Sequence, residues 1–265
     1  MGALTSVHHW DAERYHRVAD PQFEWGRRLV DRLQLAGGET VIDAGCGSGR
    51  LTRLLLERLP QGRVIAIDVS EQMLESTRRN LERDFAGRVE YLLADLLDLD
   101  LAGAADVVFS AATFHWILDQ PRLFTNLARA LRPGGRLLAQ MGGKGNLDRI
   151  HARSEAIMAA PEYRAEFDGW QRPWEFPDEA VTRERLRSAG FRDIEVERFA
   201  QPTTFADAAA FREFITTVNF RLHLQRIHDA RLRQAFIDRL VDLASTDDPK
   251  YTLDYWRLNL SGIRK

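Results

Sequence analysis

One cysteine, Cys46, stands in a chain of 265 residues. That scarcity excludes an internal disulfide, a multi-cysteine zinc site and any relay of thiols, and it fits a reducing compartment. Also missing is any apolar run near the roughly 18 to 20 residues that cross a bilayer, and the opening MGALTSVHHWDAERYH lacks the long apolar core of a secretion signal. A cytoplasmic protein with no membrane partner is expected. Charge of one sign is missing too: 37 Lys and Arg against 39 Asp and Glu leave a formal net charge of −2. With no global field to draw nucleic acid or an anionic surface, any charged ligand must be met locally. Internal repeats and low-complexity segments are absent. What remains is a chain that is 45% hydrophobic, enough for one substantial core with an appended cap.

Trp25, Leu29, Val30 and Leu33 recur at helical spacing across 24–35, until Ala36-Gly37-Gly38 stops the helix. From there short β-branched runs alternate with amphipathic stretches. ETVIDAG precedes SGRLTRLLLERL, and RVIAID precedes SEQMLESTRRNLERDF with Ser70 as N-cap. RVEYLLAD, ADVVFSA and GRLLAQM follow, the last two separated by DQPRLFTNLARAL. Parallel strands need crossovers of about a dozen residues and are buried on both faces, so this rhythm predicts a doubly wound α/β sheet. Past Gly143 the rhythm changes. Residues 144–176 read as an excursion over the sheet's edge, 178–190 as a helix, FRDIEVERF as a strand, 206–244 as one or two long helices and TLDYWRLNL as a final strand. The expected organisation is an N-terminal helical segment (1–35) over the site, a core of 36–143 and 177–265, and a helical cap from 144–176 and 206–244.

In an open α/β sheet, ligands collect beyond the carboxyl ends of the strands. The stretch VIDAGCGSG puts Gly45, Gly47 and Gly49 in the first strand-to-helix turn. Glycine there tolerates unusual dihedrals and lets a ligand touch the main chain. The spacing is G-x-G-x-G rather than the G-x-G-x-x-G of dinucleotide dehydrogenases. Asp43 in front would repel a diphosphate and suits a ligand carrying an ammonium and a sulfonium. Asp68 ends the second strand, where an acid accepts from both hydroxyls of a ribose, and Asp95 ends the third, placed to face an adenine amino group.

DAGCGSG, IAID, LLAD, the FSAATFHW segment and LRPGGRLL together resemble the successive motifs of class I S-adenosylmethionine-dependent methyltransferases, over residues 38–141, with SAGFRDIEVE continuing the match at 188–197. The resemblance implies a mostly parallel seven-stranded sheet with its last strand antiparallel. It implies S-adenosylmethionine lying along Asp43, Ala44, Gly45, Cys46, Gly47 and Gly49, then Asp68 and Asp95, with Val69 and Met73 flanking the adenine and Leu96 beside it. Ser110 and Ala111 would face the methionine end. Trp10-Asp11 to Tyr15, FHW at 114–116 and the helices after FADAAAF resemble trans-aconitate methyltransferases and, nearly as well, malonyl-carrier-protein methyltransferases.

Methyl transfer from a sulfonium is an in-line displacement, in which the protein mainly aligns atoms and excludes water. A carboxylate acceptor is already a nucleophile at neutral pH, whereas a phenol, amine or carbon acceptor needs a base. His115 is the candidate for that base or for a pocket hydrogen bond. Trp10, Tyr15, Phe114 and Trp116 offer aromatic faces to pocket or core. An anionic acceptor asks for arginine, and Arg172 and Arg221 are the candidates, with Arg14, Arg27 and Arg28 in segments near the mouth. His8-His9 lacks a ligand cluster, so no metal site is expected. The expected function is methylation of a small anionic molecule, most simply at a carboxylate oxygen, by a monomer or homodimer. A non-catalytic cofactor-binding module is the reading from another class. Nucleic acid is not expected as acceptor, because there is no basic stripe and SAATFHW stands where base-methylating relatives carry D/N-P-P-aromatic.

Overall fold

A computed structural model describes residues 20–265. The chain enters through α1 (Asp20–Asp31) and reaches β1 (Thr40–Ala44), every residue of which is buried. Three crossovers follow: α2 (Arg50–Glu57) to β2 (Arg63–Asp68), α3 (Glu71–Phe85) to β3 (Val89–Leu93), and on to β4 (Ala105–Ala111). Then α4 (Gln120–Ala130) leads to β5 (Leu131–Gly142), and α7 (Glu179–Ser188) precedes β6 (Phe191–Ala200). The main sheet has seven strands in the order β3-β2-β1-β4-β5-β9-β6, where β9 is Trp256–Arg264. Strands β1 to β5 pair in parallel, and β9 runs antiparallel to both β5 and β6.

The two faces follow from strand alternation. Val41 packs with Leu29, Leu55 and Leu81, from α1, α2 and α3. Its neighbour Ile42 packs on the opposite side with Leu123, Phe124 and Leu186, from α4 and α7. Strand order reverses between β1 and β4, which opens a crevice above the carboxyl ends of β1, β2 and β4.

The cap has an apolar centre of its own around Tyr163, Phe211, Phe220 and Phe236. Segment 144–176 is more regular than expected, holding α5 (Asp148–Met158) and α6 (Pro161–Arg164). The buried stripe of α5 is Ile150, His151, Ser154 and Ile157, half of it polar, so hydropathy alone conceals the helix. Segment 206–244 divides into three helices: α8 (Ala208–Phe214), α9 (Arg221–Arg226) and α10 (Ala230–Ala244), with a π turn over Ile215–Asn219 after the first. Asp229 interrupts it by accepting from the N–H groups of Arg231 and Leu232, a cap that restarts the helix. TLDYWRLNL also divides. Thr252-Leu253 (β8) pairs with Thr203-Thr204 (β7), and the sheet strand begins only at Trp256. Between them Asp254 accepts from the Arg149 N–H in the first turn of α5, which pulls the chain out of line. Among the described residues, no helix is long and apolar enough to cross a membrane.

Two histidines sit among the rings of the cap. His151 stacks on Trp174 at 5.0 Å, and His223 lies 4.8 Å from Trp170 and 4.9 Å from Phe220. Burial keeps both imidazoles neutral, lowering His151 to about 4 and His223 to about 3. An unfolded imidazole titrates near 6.5, so between these values the unfolded chain binds the extra proton and stability falls as pH falls. One such group contributes about 1.4 kcal/mol per pH unit across that window. His223→Phe is therefore expected to flatten the fall in folding free energy between pH 6 and 4.5 by about one proton's worth, read from urea melts. An unaltered slope would refute the buried neutral state.

Candidate functional site

The turn after β1 is built by hydrogen bonds to the neighbouring strand. Gly45 and Cys46 donate their N–H groups to the Ile67 carbonyl at 2.8 and 2.9 Å. Gly47 donates to Asp68 Oδ2 at 2.9 Å, while Asp68 Oδ1 accepts from Ser70 N–H at 2.9 Å. One carboxylate thus ties the glycine turn to the start of α3, where Ser70 Oγ caps the helix by accepting from Met73 N–H. Asp95, two residues past β3, caps the Leu96–Asp98 turn by accepting from Leu97 N–H at 2.9 Å. Asp68, Val69, Met73, Asp95 and Leu96, with Gly45, Gly47 and Ala111, line a cleft of ≈ 860 Å³ including its mouth.

The remaining motif residues stand behind that surface. Asp43 is 2% exposed and accepts from Thr52 Oγ1 at 2.6 Å. Burial pushes its carboxyl up to about 7, with the charge of Asp68 adding to the effect. Ala44 is wholly buried, and Ser110 Oγ donates to its carbonyl at 2.7 Å, stitching β4 to β1. Gly49 begins α2 beside the Thr77 side chain. The Cys46 thiol lies 3.8 Å from Thr77 Oγ1, and burial raises its pKa, so it stays protonated and inert.

Two further recesses adjoin the cleft. One, across the glycine turn, is lined by Phe23, Ser48, Arg50 and Leu51. The other lies under the cap and is lined by His115, His151, Trp174, Phe176, Tyr255 and Arg257 among others. Ala112 borders all three spaces, and Trp116 borders the cleft and the cap recess. Ala112 has φ 59°, a left-handed conformation that costs an alanine roughly 1–2 kcal/mol. Its N–H donates to the Gln140 carbonyl of β5 at 2.8 Å, which holds it there. Strain of this kind belongs at a junction where backbone position matters.

The Phe114–Trp116 turn is clamped from behind. Gln120 donates to the Phe114 carbonyl at 3.4 Å, and Glu175 N–H donates to the His115 carbonyl at 2.9 Å. Arg185 then bonds both clamps: Glu175 in bidentate fashion at 2.7 and 3.1 Å, and Gln120 at 2.8 Å. Phe114 itself packs edge-on to Phe124 in the sheet layer, 5.9 Å between centroids, and does not line the recess. His115 is buried, and its Nδ1 accepts a long 3.4 Å hydrogen bond from Gly142 N–H, an arrangement that assigns the ring proton to Nε2. Burial, with Arg257 nearby, lowers its pKa to about 3.

Arg172 is exposed and ion-paired to Glu155, Arg27 pairs with Glu24 and Asp31, and Arg28 is exposed. Arg221 is half-buried and, like Arg172, lines none of the three spaces. Trp10, Tyr15, Arg14 and His8-His9 lie outside the described residues. The arginine that does line the cap recess is Arg257, 2% exposed in β9, its guanidinium 4.7 Å over the Trp25 ring. The sequence carried a signal for it: an arginine set among apolar residues in a strand, TLDYWRLNL, where a buried charge needs a reason. Among the described residues, no group of three or more His, Cys, Asp or Glu side chains is placed to hold a metal ion.

The cleft has the chemistry of a nucleoside site without phosphates. Two carboxylates lie at or just past the ends of adjacent strands, and a Cβ added to Gly47 would meet nothing within 4 Å, so the backbone faces open space. Comparison with known proteins agrees with that reading. Residues 41–135 match a family model described as a methyltransferase domain. Trans-aconitate 2-methyltransferase of Azoarcus sp. (strain BH72) is 41% identical over 132 residues, 50% of each chain. The chain spans about half the length of this and the next curated relatives it matches. The enzyme of the same name from Methylobacterium radiotolerans is 30% identical over 241 residues, 86% of each chain. In fold, the chain is similar to a Haemonchus contortus phosphoethanolamine N-methyltransferase solved with phosphomonomethylethanolamine and S-adenosylhomocysteine, with a TM-score of 0.63 at 19% identity over 96% of this chain and 56% of that one. Identity sustained across both the sheet and the cap, not the glycine turn alone, makes this chain a member of the class I S-adenosylmethionine-dependent methyltransferases.

Proposed function

We propose that the chain methylates a carboxylate oxygen of a small organic acid. S-adenosylmethionine, when bound, supplies an electrophilic methyl group on a sulfonium. Asp68 and Asp95 would hold its ribose and adenine ends, and Gly45, Gly47 and Ala111 would receive the rest against bare main chain. The three spaces meeting at Ala112 set the acceptor recess beside the cofactor cleft. Holding reacting atoms in line at such a junction supplies roughly 7–11 kcal/mol of barrier lowering without any proton transfer.

Arg257 carries the reading. It is a buried guanidinium on the wall of the acceptor recess, and its fork matches a carboxylate. His115, which lines the same recess, supports it. With Nδ1 engaged by Gly142 and its pKa lowered to about 3, the imidazole offers an Nε2–H to an acceptor oxygen and is a poor base for a phenol or amine. A carboxylate needs no base, so these features agree.

The direct test is transfer of labelled methyl from S-adenosylmethionine to di- and tricarboxylates, fatty and aromatic acids, acyl-carrier conjugates, phenols and amines, followed by alkaline hydrolysis. Label released by base is expected, and label that survives would remove the ester. His115→Ala should lower kcat/KM by less than about 10-fold, because general-base catalysis is worth roughly 100- to 10,000-fold and is not being used. At saturating S-adenosylmethionine the kcat profile should be level from pH 6 to 8.5, since neither His115 nor a carboxylate acceptor titrates there and Asp43, pushed up to about 7, stands behind the glycine turn and bonds Thr52.

A further inference from the structure

We infer that Arg185 is a positioning residue for methyl transfer: standing outside the cap recess, it fixes two of the recess walls against each other. This rests on the recess being the acceptor site, and not on the acceptor being a carboxylate. One wall is the Phe114–Trp116 turn, which contributes His115 and Trp116, and the other is the loop before α7, which contributes Trp174 and Phe176. Their rings meet, Trp116 edge to face with Trp174 at 5.8 Å and His115 5.6 Å from Phe176. Aromatic contacts accept a range of offsets, so the spacing of the walls has to be set by directional bonds behind them.

Arg185, in α7, supplies them. Its guanidinium holds the Glu175 carboxylate at 2.7 and 3.1 Å, and the Glu175 N–H donates to the His115 carbonyl at 2.9 Å. The same Nη1 donates to Gln120 Oε1 at 2.8 Å. Gln120 is wholly buried, so with Oε1 facing a donor its Nε2 must face the Phe114 carbonyl, to which it donates at 3.4 Å. Without the guanidinium the amide can turn over, and the reversed orientation sets oxygen against oxygen. One planar fork therefore reaches two successive carbonyls of the turn, each through one intermediary residue. Side chains 20% and 34% exposed, bonded in bidentate fashion and tied to a buried amide, make the Arg185–Glu175 pair more than an isolated surface bridge. Arg185 lines none of the three spaces, so it acts on the reaction only through these groups.

The experiment compares Arg185→Met, Arg185→Lys and Glu175→Gln with wild type by amide hydrogen exchange and by kcat/KM for trans-aconitate at saturating S-adenosylmethionine. In Arg185→Met the Glu175 amide and the 114–117 segment are expected to exchange at least about 10-fold faster, while β1 and β4 exchange at the wild-type rate and show that the variant is folded. Its kcat/KM should fall at least about 30-fold, since a misplacement of about 1 Å around the reacting atoms can cost about 100-fold. That loss exceeds the less than about 10-fold expected of His115→Ala, because Arg185 sets several wall residues at once. Arg185→Lys should recover part of both effects, a point charge replacing the fork only partly. Arg185→Met combined with Glu175→Gln should lose no more than Arg185→Met alone, as for two members of one linkage. Wild-type exchange at Glu175 in a folded Arg185→Met would overturn the inference, and so would an unchanged kcat/KM with exchange raised. Where Arg185→Met fails to fold, Glu175→Gln decides in the same way, because it removes the charge and keeps the side chain's size. Trans-aconitate left unmethylated by the wild type would count against the proposed acceptor, and exchange alone would then support or overturn the role of Arg185.

Discussion

Asp68→Ala is expected to weaken binding of S-adenosylhomocysteine by at least about 100-fold in calorimetry, and kcat/KM for S-adenosylmethionine with it. The carboxylate makes two hydrogen bonds to main-chain N–H groups, Gly47 in the turn after β1 and Ser70 at the start of α3. Hydrogen bonds to a charged group are worth about 1.5–3 kcal/mol each, and about 2.7 kcal/mol already corresponds to 100-fold in affinity. Removing the side chain therefore loosens the glycine turn and takes away the acceptor for ribose hydroxyls at once. Asp68→Asn keeps one oxygen but replaces the other with a donor that faces a donor, so it should fall between wild type and alanine. Helix α3 keeps its Ser70 cap in both variants, but the Gly47 and Ser70 N–H groups lose their acceptor in Asp68→Ala, so the melting temperature should fall too and affinity is compared at a temperature where both variants are folded. Cofactor affinity within a few-fold of wild type in Asp68→Ala would show that the cleft binds through some other group.

The difference between what was legible in the sequence and what was not follows contact distance along the chain. Strands β1 to β5 declared themselves because each is a short apolar run bounded by an amphipathic helix, and period alone separates the two. The cleft was legible for the same reason, since Asp68 and Asp95 sit at strand ends that the rhythm locates. Even there, Asp43 and Ser110 act behind the surface by bracing Thr52 and Ala44, a distinction that needs side-chain geometry. The antiparallel sense of the last strand came only through family resemblance, and the position of β9 between β5 and β6 was not legible at all, because no local pattern dictates pairing order. The acceptor recess was hardest. Its walls come from the Phe114–Trp116 turn, the start of α5, the loop before α7, the π turn and the start of β9, segments that meet only in tertiary structure. Reasoning by residue type selected Arg172 and Arg221, whereas Arg257 lines the recess because β9 passes beneath it.

Gly45→Ala should destabilise the fold by about 2–5 kcal/mol and abolish detectable cofactor binding. Two costs combine. Gly45 has φ 85°, where an alanine costs roughly 1–2 kcal/mol. A Cβ there would lie 2.1 Å from Thr113 Oγ1 and 2.5 Å from its Cγ2, an overlap that forces a side chain or the turn to move, typically at about 1–3 kcal/mol. For a domain near this size the sum lowers Tm by on the order of 5–15 °C. The two costs separate experimentally. In Gly45→Ala combined with Thr113→Ala the contacts at 2.1 and 2.5 Å are removed, while a 2.7 Å contact with the remaining Cβ of residue 113 and the dihedral strain persist, so Tm should recover only in part, and a cycle that includes Thr113→Ala alone measures the removed contacts by difference. A double variant no more stable than Gly45→Ala would assign the loss to the dihedral together with the remaining Cβ contact. The contact also has functional reach: Gly45 borders the cofactor cleft and Thr113 immediately precedes the turn that carries His115 and Trp116. Displacing either moves the walls on both sides of the Ala112 junction, so a partial recovery of stability should bring cofactor affinity back before it restores methyl transfer.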